Sequence, residues 1–223
     1  MSGAASGIGK AIAERLRTEG VTVVATDIGG LDDICDVTSM DSCLSAVATT
    51  IDRHGRLDIL ANVAGIGISH PIGEFPVEEW RRIIDINLTG TFQLSQAALP
   101  ALLDGGGCIV NLASVSGLRG SPYNAAYAAS KAAQISLTKS MAVELAKQGV
   151  RVNAVAPSAV DTPFLTGFSL PEYADLGLVG RASPPMGVVL RPEEVAAAVA
   201  YLCSGDAASV TGTVLVIDGG ASA

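Results

Sequence analysis

The sequence predicts an α/β protein with a doubly wound parallel sheet and helices on both faces. Short runs of apolar, strand-forming residues alternate with alanine-rich stretches of helical length along the chain. The apolar runs are continuous, which is typical of strands that are buried on both faces. A glycine-rich segment near the start also leads directly into a helix, as it does in many sheets of this class.

Five apolar runs are predicted to be strands, and a sixth, short strand is expected around residues 34–37. The runs are rich in Val, Ile and Leu, which suits strands covered by helices. They span residues 21–28, 57–64, 108–114, 150–157 and 213–218.

Helices are predicted between these strands, at residues 8–19, 40–53, 77–103, 124–147 and 192–203. Pro76 and Pro192 lie near two helix starts, where a missing N–H group has no consequence. Gly20 and Gly149 follow two helix ends, where a positive φ angle is common.

The composition fits one domain over residues 1–223. Of the 223 residues, 49% are apolar and 16% are charged, and the mean hydropathy is +0.44. This is too apolar for a disordered chain and long enough for one sizeable core. No run reaches the roughly 18 apolar residues of a membrane span. The first residues also lack the basic and apolar regions of a secretory signal.

The charge and the cysteines exclude several classes of function. A formal net charge of −8 repels the phosphates of nucleic acids and anionic lipids, so we expect neither nucleic acid nor a membrane as a partner. The four cysteines contain no CxxC pair, and the two histidines have no metal-ligand spacing. We therefore expect no metal, no disulfide framework and a cytoplasmic location.

A glycine-rich loop at residues 2–9 is a candidate phosphate-binding loop. Glycines let a backbone turn tightly and approach a pyrophosphate, and the following helix offers free N–H groups. Asp27 ends the next predicted strand, close to the spacing of about 20 residues for an acid that binds a ribose 2′-hydroxyl. Its carboxylate would repel a 2′-phosphate, so NAD is favoured over NADP as the cofactor.

Tyr127 and Lys131 are a candidate catalytic pair. They are four residues apart in an alanine-rich predicted helix and therefore share one face. An ammonium near a phenol favours the phenolate, so it should lower the pKa of Tyr127 from its ordinary value of about 10. Tyr127 would then be usable as an acid or base near neutral pH.

Residues 158–190 interrupt the alternation of strands and helices. The stretch is rich in Pro and Gly and also contains large apolar residues. Loops of this length inside a domain usually have a function, so we expect a substrate loop, for example a lid. A small helical insertion that only packs on the surface is the alternative.

The motifs occur in an order that resembles the short-chain dehydrogenase/reductase family. They are SGAASGIG at 2–9, NVAG at 62–65, INLTG at 86–90, NLASVSG at 111–117, YAASK at 127–131, PSAVDTP at 157–163 and VTGTVLVIDGG at 210–220. The resemblance covers essentially the whole chain. It implies a Rossmann-type fold, an NAD(P)-linked alcohol–ketone oxidoreductase, and a homotetramer or homodimer formed through the long helices and the last strand.

The resemblance also implies roles for individual residues. Tyr127 would be the general acid and base, and Lys131 would lower its pKa and hold the nicotinamide ribose. Ser114 would hydrogen-bond the substrate oxygen, and Asn87 would join a water-linked proton relay. The implied cofactor-binding residues are Gly3, Ser6, Ile8, Gly9, Asp27, Asp36, Val37, Asn62, Ala64, Gly65, Tyr127, Lys131, Val160 and Thr162.

The chain departs from the family pattern at three points. Val63 replaces the second Asn that is usual in its motif, and Ser158 stands where a Gly usually follows Pro. The glycine loop begins at residue 2, although the family's sheet has its first strand at the centre. Two strand edges would then lose ladder partners, at roughly 1–3 kcal/mol per unpaired buried group. A truncated or misassigned start is the simplest explanation, and closure of the gap by neighbouring strands or a damaged cofactor site are the alternatives.

The leading hypothesis is an NAD-dependent dehydrogenase of a moderately apolar secondary alcohol or ketone, such as a hydroxysteroid or a small cyclic alcohol. The apolar part of residues 158–190 supports it, and PPMG at 184–187 resembles members that act on hydroxysteroids. A 3-oxoacyl thioester reductase is the enzymatic alternative, although it would normally need NADPH and a basic residue near position 27. A non-catalytic dinucleotide-binding or assembly protein is the alternative from another class.

Overall fold

Helices and parallel strands alternate along the chain, which confirms the predicted α/β class. The computed structural model describes residues 1–167, 170–180 and 184–223. Residues 168–169 and 181–183, which belong to the predicted substrate loop, lie outside the described residues. Within the described ranges, no helix is long and apolar enough to cross a membrane.

The strands form two separate parallel groups. The strands are β1 (Thr26–Asp27), β2 (Asp33–Ile34), β3 (Ile59–Asn62), β4 (Gly107–Leu112), β5 (Val150–Pro157) and β6 (Val214–Ile217). β1 pairs with β2, and the other four pair in the order β3, β4, β5, β6. Strand order therefore follows chain order within each group.

The strand predicted at residues 21–28 is mostly wrong, since only β1 at its end forms a ladder. The first residues of the chain bridge the space between β1 and β3: Met1 O accepts a hydrogen bond from Thr26 N at 2.9 Å, and Ser2 N donates to Ala61 O at 3.1 Å. No strand of the described residues lies beside the earlier part of the run. Regular pairing therefore starts only where β2 comes alongside.

The helices have nearly the predicted bounds. They are α1 (Gly7–Thr18), α2 (Met40–His54), α3 (Val77–Ile84), α4 (Gly90–Leu103), α5 (Ala125–Leu145), α6 (Pro163–Thr166), α7 (Leu176–Gly180) and α8 (Pro192–Cys203), with 3₁₀ turns at Ile72–Glu74, Val115–Gly117, Ala146–Gln148 and Gly205–Ala207. The single helix predicted at residues 77–103 is divided, because a π-helical turn, Asp85–Thr89, separates α3 from α4. Such turns are frequent at functional sites.

The four-stranded group is covered on both faces, which explains its continuous apolar runs. Ile109 of β4 packs in a cluster with α2, α4 and α5, whereas its neighbours Cys108 and Val110 pack in a cluster with α1 and α8. Successive residues of a strand point to opposite faces, so both faces must be apolar. The sheet is therefore the middle of three layers, and a site can form at the C-terminal ends of its strands.

Replacing Ile109 with alanine should strongly destabilise the fold. Ile109 is 0% exposed, so Ile109→Ala leaves a cavity and should lower the free energy of unfolding by about 2–5 kcal/mol. Urea unfolding followed by circular dichroism measures the loss. Ile72 is 78% exposed, so Ile72→Ala is the control and should change stability by less than about 0.5 kcal/mol. Equal losses in the two variants would contradict the three-layer core.

Candidate active site

A cleft of about 1230 Å³ opens at the C-terminal ends of the strands. It is bounded by the glycine loop, by the ends of β1, β3, β4 and β5, by the start of α5 and by residues after 157. The predicted site residues that line it are Gly3, Ser6, Ile8, Gly9, Asp27, Asp36, Val37, Ala64, Gly65, Ser114, Tyr127, Lys131, Val160 and Thr162. Of the predicted site residues, all of which lie in the described part of the chain, Asn62 and Asn87 do not line the cleft.

The glycine loop is packed too closely for larger residues at two positions. Gly3 has a φ angle of 66°, and a Cβ there would lie 2.6 Å from Ala64 N. A Cβ at Gly9 would collide with Gly3 O. The Ser6 side chain does not cap α1 within the described structure. The N–H groups and the positive dipole end of α1 are therefore available at the cleft, as a phosphate requires.

Asp27 and Asp36 bring two carboxylates to the glycine-loop end of the cleft. Asp27 is the last residue of β1, and its Oδ2 accepts a hydrogen bond from Ala5 N at 3.1 Å. Asp36 Oδ1 accepts hydrogen bonds from Thr38 N at 2.9 Å and from Thr38 Oγ1 at 2.7 Å. Both carboxylates are therefore fixed in place and partly exposed.

Asn62 is directed into the protein. Its Nδ2 donates to Ser95 Oγ at 3.0 Å and to Asn111 Oδ1 at 2.9 Å, and the residue is buried. The side chain thus ties β3 to α4 and β4. The cleft-lining members of this motif are Val63, Ala64 and Gly65.

Asn87 lies in the π-helical turn and is completely buried. Its side chain exchanges two hydrogen bonds with the backbone of Ile66, at 2.8 and 2.9 Å, and donates to Ser130 Oγ at 3.0 Å. Asn87 therefore holds the segment after β3 against α5, next to the residue that precedes Lys131.

Ser114 and Tyr127 meet where β4 has ended and α5 begins. Ser114 Oγ accepts a hydrogen bond from Ser116 N at 3.1 Å and is also hydrogen-bonded to the Tyr127 hydroxyl. The Phe164 ring packs against Tyr127 with 5.7 Å between the ring centroids. Burial raises the pKa of Tyr127 to about 12, and the hydrogen bond with Ser114 opposes that rise.

Lys131 lies one helical turn after Tyr127, but its amine has other partners. Nζ donates to Leu112 O at 2.5 Å and to Gln134 Oε1 at 3.2 Å, and lies 5.7 Å from the centroid of the Tyr127 ring. Burial lowers the pKa of Lys131 to about 7. The expected lowering of the Tyr127 pKa is therefore wrong, because burial raises this pKa.

Val160 and Thr162 close the cleft against the glycine loop. Both are buried, and Thr162 Oγ1 donates to Val160 O at 3.2 Å. A Cβ at Gly7 would lie 3.0 Å from Thr162 Cγ2, so the two segments are in close contact. Ser158 also lines this wall, and its Oγ has no hydrogen-bond partner within the described residues. The Ser158 hydroxyl oxygen is thus an unpaired polar atom at this wall of the cleft.

Gln134 is a site residue that the sequence motifs do not predict. It is fully buried on α5, accepts a hydrogen bond from Lys131 and donates one to Thr91 Oγ1 at 2.7 Å. It lies three residues after Lys131 and so shares its helix face. The spacing alone does not distinguish it from other residues of α5, and its hydrogen bonds identify it.

Known proteins resemble this chain over nearly its full length. A sequence profile described as Enoyl-(Acyl carrier protein) reductase matches residues 34–222. A 3-oxoacyl-(acyl-carrier-protein) reductase of Thermotoga maritima is 39% identical over 99% of this chain and 95% of its own length. A cis-4-hydroxycyclohexanecarboxylate dehydrogenase of Sinomonas cyclohexanicum is 40% identical over 100% and 95%. The structure of a Brucella melitensis 3-ketoacyl-(acyl-carrier-protein) reductase complexed with NADH is 33% identical, with a TM-score of 0.90 over 100% and 96%.

The lowered pKa of Lys131 predicts that stability rises with pH. The ordinary lysine pKa is 10.5, so from about pH 7 to about pH 10 the unfolded chain binds more protons than the folded one. The free energy of unfolding therefore increases with pH in this window. Lys131→Met lacks this titrating group. Between about pH 7 and about pH 10, the free energy of unfolding of wild type should therefore increase by a few kcal/mol more than that of the variant, which is on the order expected for a pKa shift of this size. Urea unfolding at several pH values measures the difference.

Lys139→Met is the control for this experiment, because Lys139 is exposed on the same helix. Between about pH 7 and about pH 10, its free energy of unfolding should change with pH by the same amount as that of wild type. A gap between wild type and Lys131→Met that stays constant with pH would contradict the buried-amine assignment.

Proposed function

The chain belongs to the short-chain dehydrogenase/reductase family, and we propose that it transfers a hydride between NAD(H) and a moderately apolar secondary alcohol or ketone. It is an oxidoreductase that acts on CH–OH groups and binds a nicotinamide dinucleotide, as its relatives indicate. One observation carries the proposal: the Ser114, Tyr127 and Lys131 side chains converge in the cleft that also contains the glycine loop.

The cleft has suitable groups for each part of a dinucleotide. The uncapped start of α1 suits the pyrophosphate. Asp27 would bind the adenine ribose, and Asp36 and Val37 would contact the adenine. Val160 and Thr162, which lie against the glycine loop, would hold the nicotinamide carboxamide. When bound, the dinucleotide supplies the hydride acceptor or donor.

Asp27 is the reason for proposing NAD rather than NADP. Its carboxylate is held at the end of β1 by Ala5 N, beside the glycine loop. A carboxylate there accepts hydrogen bonds from ribose hydroxyls and repels a 2′-phosphate. The relative solved with NADH has the same fold.

Asp27→Ser should weaken the discrimination against NADPH. The substitution removes the negative charge and an acceptor for the ribose hydroxyls, so the ratio of the NADPH and NADH dissociation constants should fall about tenfold or more. Fluorescence titration with each nucleotide measures the ratio. Asp52→Ser, at an exposed position of α2, is the control for net charge. An unchanged ratio in Asp27→Ser would remove the argument for NAD.

Tyr127 is the proton donor and acceptor in this proposal. A pKa of about 12 keeps its phenol protonated at neutral pH. During ketone reduction, Tyr127 gives this proton to the carbonyl oxygen as that oxygen gains negative charge. The Ser114 hydroxyl donates a hydrogen bond to the same oxygen and positions it. During alcohol oxidation, the proton moves in the opposite direction, to a Tyr127 phenolate.

Lys131 and Asn87 support this proton transfer. The charged form of Lys131 stabilises the phenolate electrostatically, and a pKa of about 7 allows the amine to exchange a proton at neutral pH. Its second proposed task is to hold the nicotinamide ribose. Asn87 lies in the π-helical turn against α5, where the proposed water-linked relay would pass.

The cleft is apolar beside the proposed catalytic groups. Phe164 packs on Tyr127, and Leu165, Leu170 and Val179 line the cleft with it. These side chains belong to the predicted substrate loop at residues 158–190. Burial of a hydrocarbon ring there would contribute about 25 cal/mol per Å². A hydroxysteroid-like or small cyclic alcohol fits this chemistry, and a hydroxycyclohexanecarboxylate is the substrate in the name of one relative.

A 3-oxoacyl thioester reductase is the second candidate, because a relative with that activity in its name is 39% identical. The two candidates differ in the nucleotide and in the substrate. We expect higher kcat/KM for cyclic secondary alcohols with NAD than for a 3-oxoacyl thioester with NADPH. The reverse order would favour the second candidate.

Association of copies of the chain is part of the proposal. The long helices and the last strand carry exposed apolar side chains, since Phe92 on α4, Val143 on α5 and Val216 on β6 are all exposed. Covering these side chains would stabilise a homotetramer or homodimer. Light scattering after size-exclusion chromatography distinguishes these states from a monomer.

Tyr127→Phe should abolish turnover and leave dinucleotide affinity nearly unchanged. The variant removes the proton donor but keeps the ring that packs on Phe164, so kcat should fall by about 10²–10⁴-fold. Steady-state kinetics and NADH fluorescence titration measure the two quantities. Tyr201→Phe on α8, where Tyr201 is exposed, is the matched control. Full activity in Tyr127→Phe would end the proposed role.

A further inference from the structure

Lys131 brings an amine into the interior, where charge is costly. The residue is 3% exposed, and within the described structure its Nζ donates to two oxygens, Leu112 O and Gln134 Oε1. Burial lowers its pKa to about 7, so the charged and neutral forms have similar free energies at neutral pH. Each hydrogen bond to the ammonium therefore changes the balance between them.

Gln134 uses both ends of its amide. Its Oε1 accepts from Lys131 Nζ at 3.2 Å, and its Nε2 donates to Thr91 Oγ1 at 2.7 Å and to Asn87 O at 3.4 Å. The reversed amide would set an NH₂ group against the ammonium, which can only donate. Gln134 thus connects Lys131 to α4 and to the π-helical turn in one orientation.

Packing alone does not explain an amide at this position. The side chain is 0% exposed, and an apolar residue of similar volume would avoid the cost of desolvating an amide. A buried amide is stable only when its donors and acceptors are paired. The partners that pair this amide are the proposed catalytic lysine and the turn that carries Asn87.

We propose that Gln134 is a positioning residue that favours the charged form of Lys131 and fixes its ammonium between the end of β4 and the π-helical turn. The inference rests on the proposed function, because the charge of Lys131 matters for catalysis only if Tyr127 is the acid and base. Gln134 acts on Tyr127 indirectly: it stabilises the ammonium, and the ammonium stabilises the phenolate.

The charged groups around α5 do not replace the stabilisation of the Lys131 ammonium by Gln134. The Tyr127 phenol faces Lys131 from the same helix. The elements packed on α5 carry the titratable groups Asp85 on the π-helical turn, Glu78, Glu79, Arg81 and Arg82 on α3, Lys147 on the 3₁₀ turn Ala146–Gln148, and Arg151 on β5. Within the described residues none of these groups contributes to the pKa of Lys131, which burial lowers.

The protonation of Lys131 can be measured directly. The chain has four lysines, and the other three, Lys10, Lys139 and Lys147, are exposed. NMR of protein with ¹³C-labelled lysine side chains follows each of them as a function of pH, and Lys131→Met assigns the signal. The titration midpoint of Lys131 should fall by roughly one pH unit or more in Gln134→Leu, which loses a hydrogen bond to the ammonium. It should rise by about one unit or more in Gln134→Glu, which adds an opposite charge.

Thr138→Val is the matched control. Thr138 is buried one turn further along α5, and its Oγ1 accepts a hydrogen bond from Asn111 Nδ2 at 2.9 Å. The substitution removes this hydrogen bond and the buried one that Thr138 Oγ1 donates to Gln134 O at 2.8 Å, but it leaves the Lys131 and Gln134 side chains unchanged. The midpoint should therefore stay at the wild-type value. Gln134→Glu alone carries the test if Gln134→Leu does not fold. Identical midpoints in wild type and the folded Gln134 variants would overturn the inference.

The experiment separates this inference from the proposed function. The midpoint is measured on the ligand-free protein and does not depend on turnover. In Gln134→Leu, kcat/KM for alcohol oxidation at pH 7 should also fall relative to wild type, because a smaller fraction of Lys131 is charged at that pH and stabilises the phenolate. Activity in Tyr127→Phe together with shifted midpoints would remove the catalytic proposal but leave the link between Gln134 and Lys131. Unshifted midpoints together with an inactive Tyr127→Phe would remove the link between Gln134 and Lys131 but leave the catalytic proposal.

Discussion

The site depends on one constraint, which is the burial of an amine beside a phenol at the end of β4. Burial lowers the pKa of Lys131 to about 7 and raises that of Tyr127 to about 12, so it disfavours the charge on both groups. The Leu112 carbonyl, the Gln134 amide and the Ser114 hydroxyl offset that cost locally. The burial of these two groups thus makes these hydrogen bonds necessary.

The sequence predicts the parts of this arrangement that depend on local patterns. Continuous apolar runs predict buried parallel strands, and the four-residue spacing of Tyr127 and Lys131 places them on one face of α5. Residues that follow parallel strands meet at one edge of a sheet. For this reason Ala64, Ser114 and Val160, which follow β3, β4 and β5, line a common cleft in the structure.

Other features depend on contacts between distant parts of the chain, and the sequence could not show them. The run at residues 21–28 is strand-like, but only its end finds a partner in β2. Asn62 belongs to a motif at the cleft, yet its side chain turns towards Ser95 and Asn111. The pKa of Tyr127 follows from desolvation, which spacing along a helix does not reveal. Gln134 is recognised only once Lys131 and Thr91 are seen on its two sides.

The most direct measurement of the central claim is substrate turnover by the unmodified protein. The protein would be incubated with NAD and a panel of cyclic secondary alcohols, and NADH and ketone would be quantified together. We expect at least one alcohol to be oxidised, with equal amounts of NADH and ketone formed. Tight binding of NADH in fluorescence titration, without turnover of any alcohol in either direction, would contradict it and would favour a protein that binds the dinucleotide without catalysis.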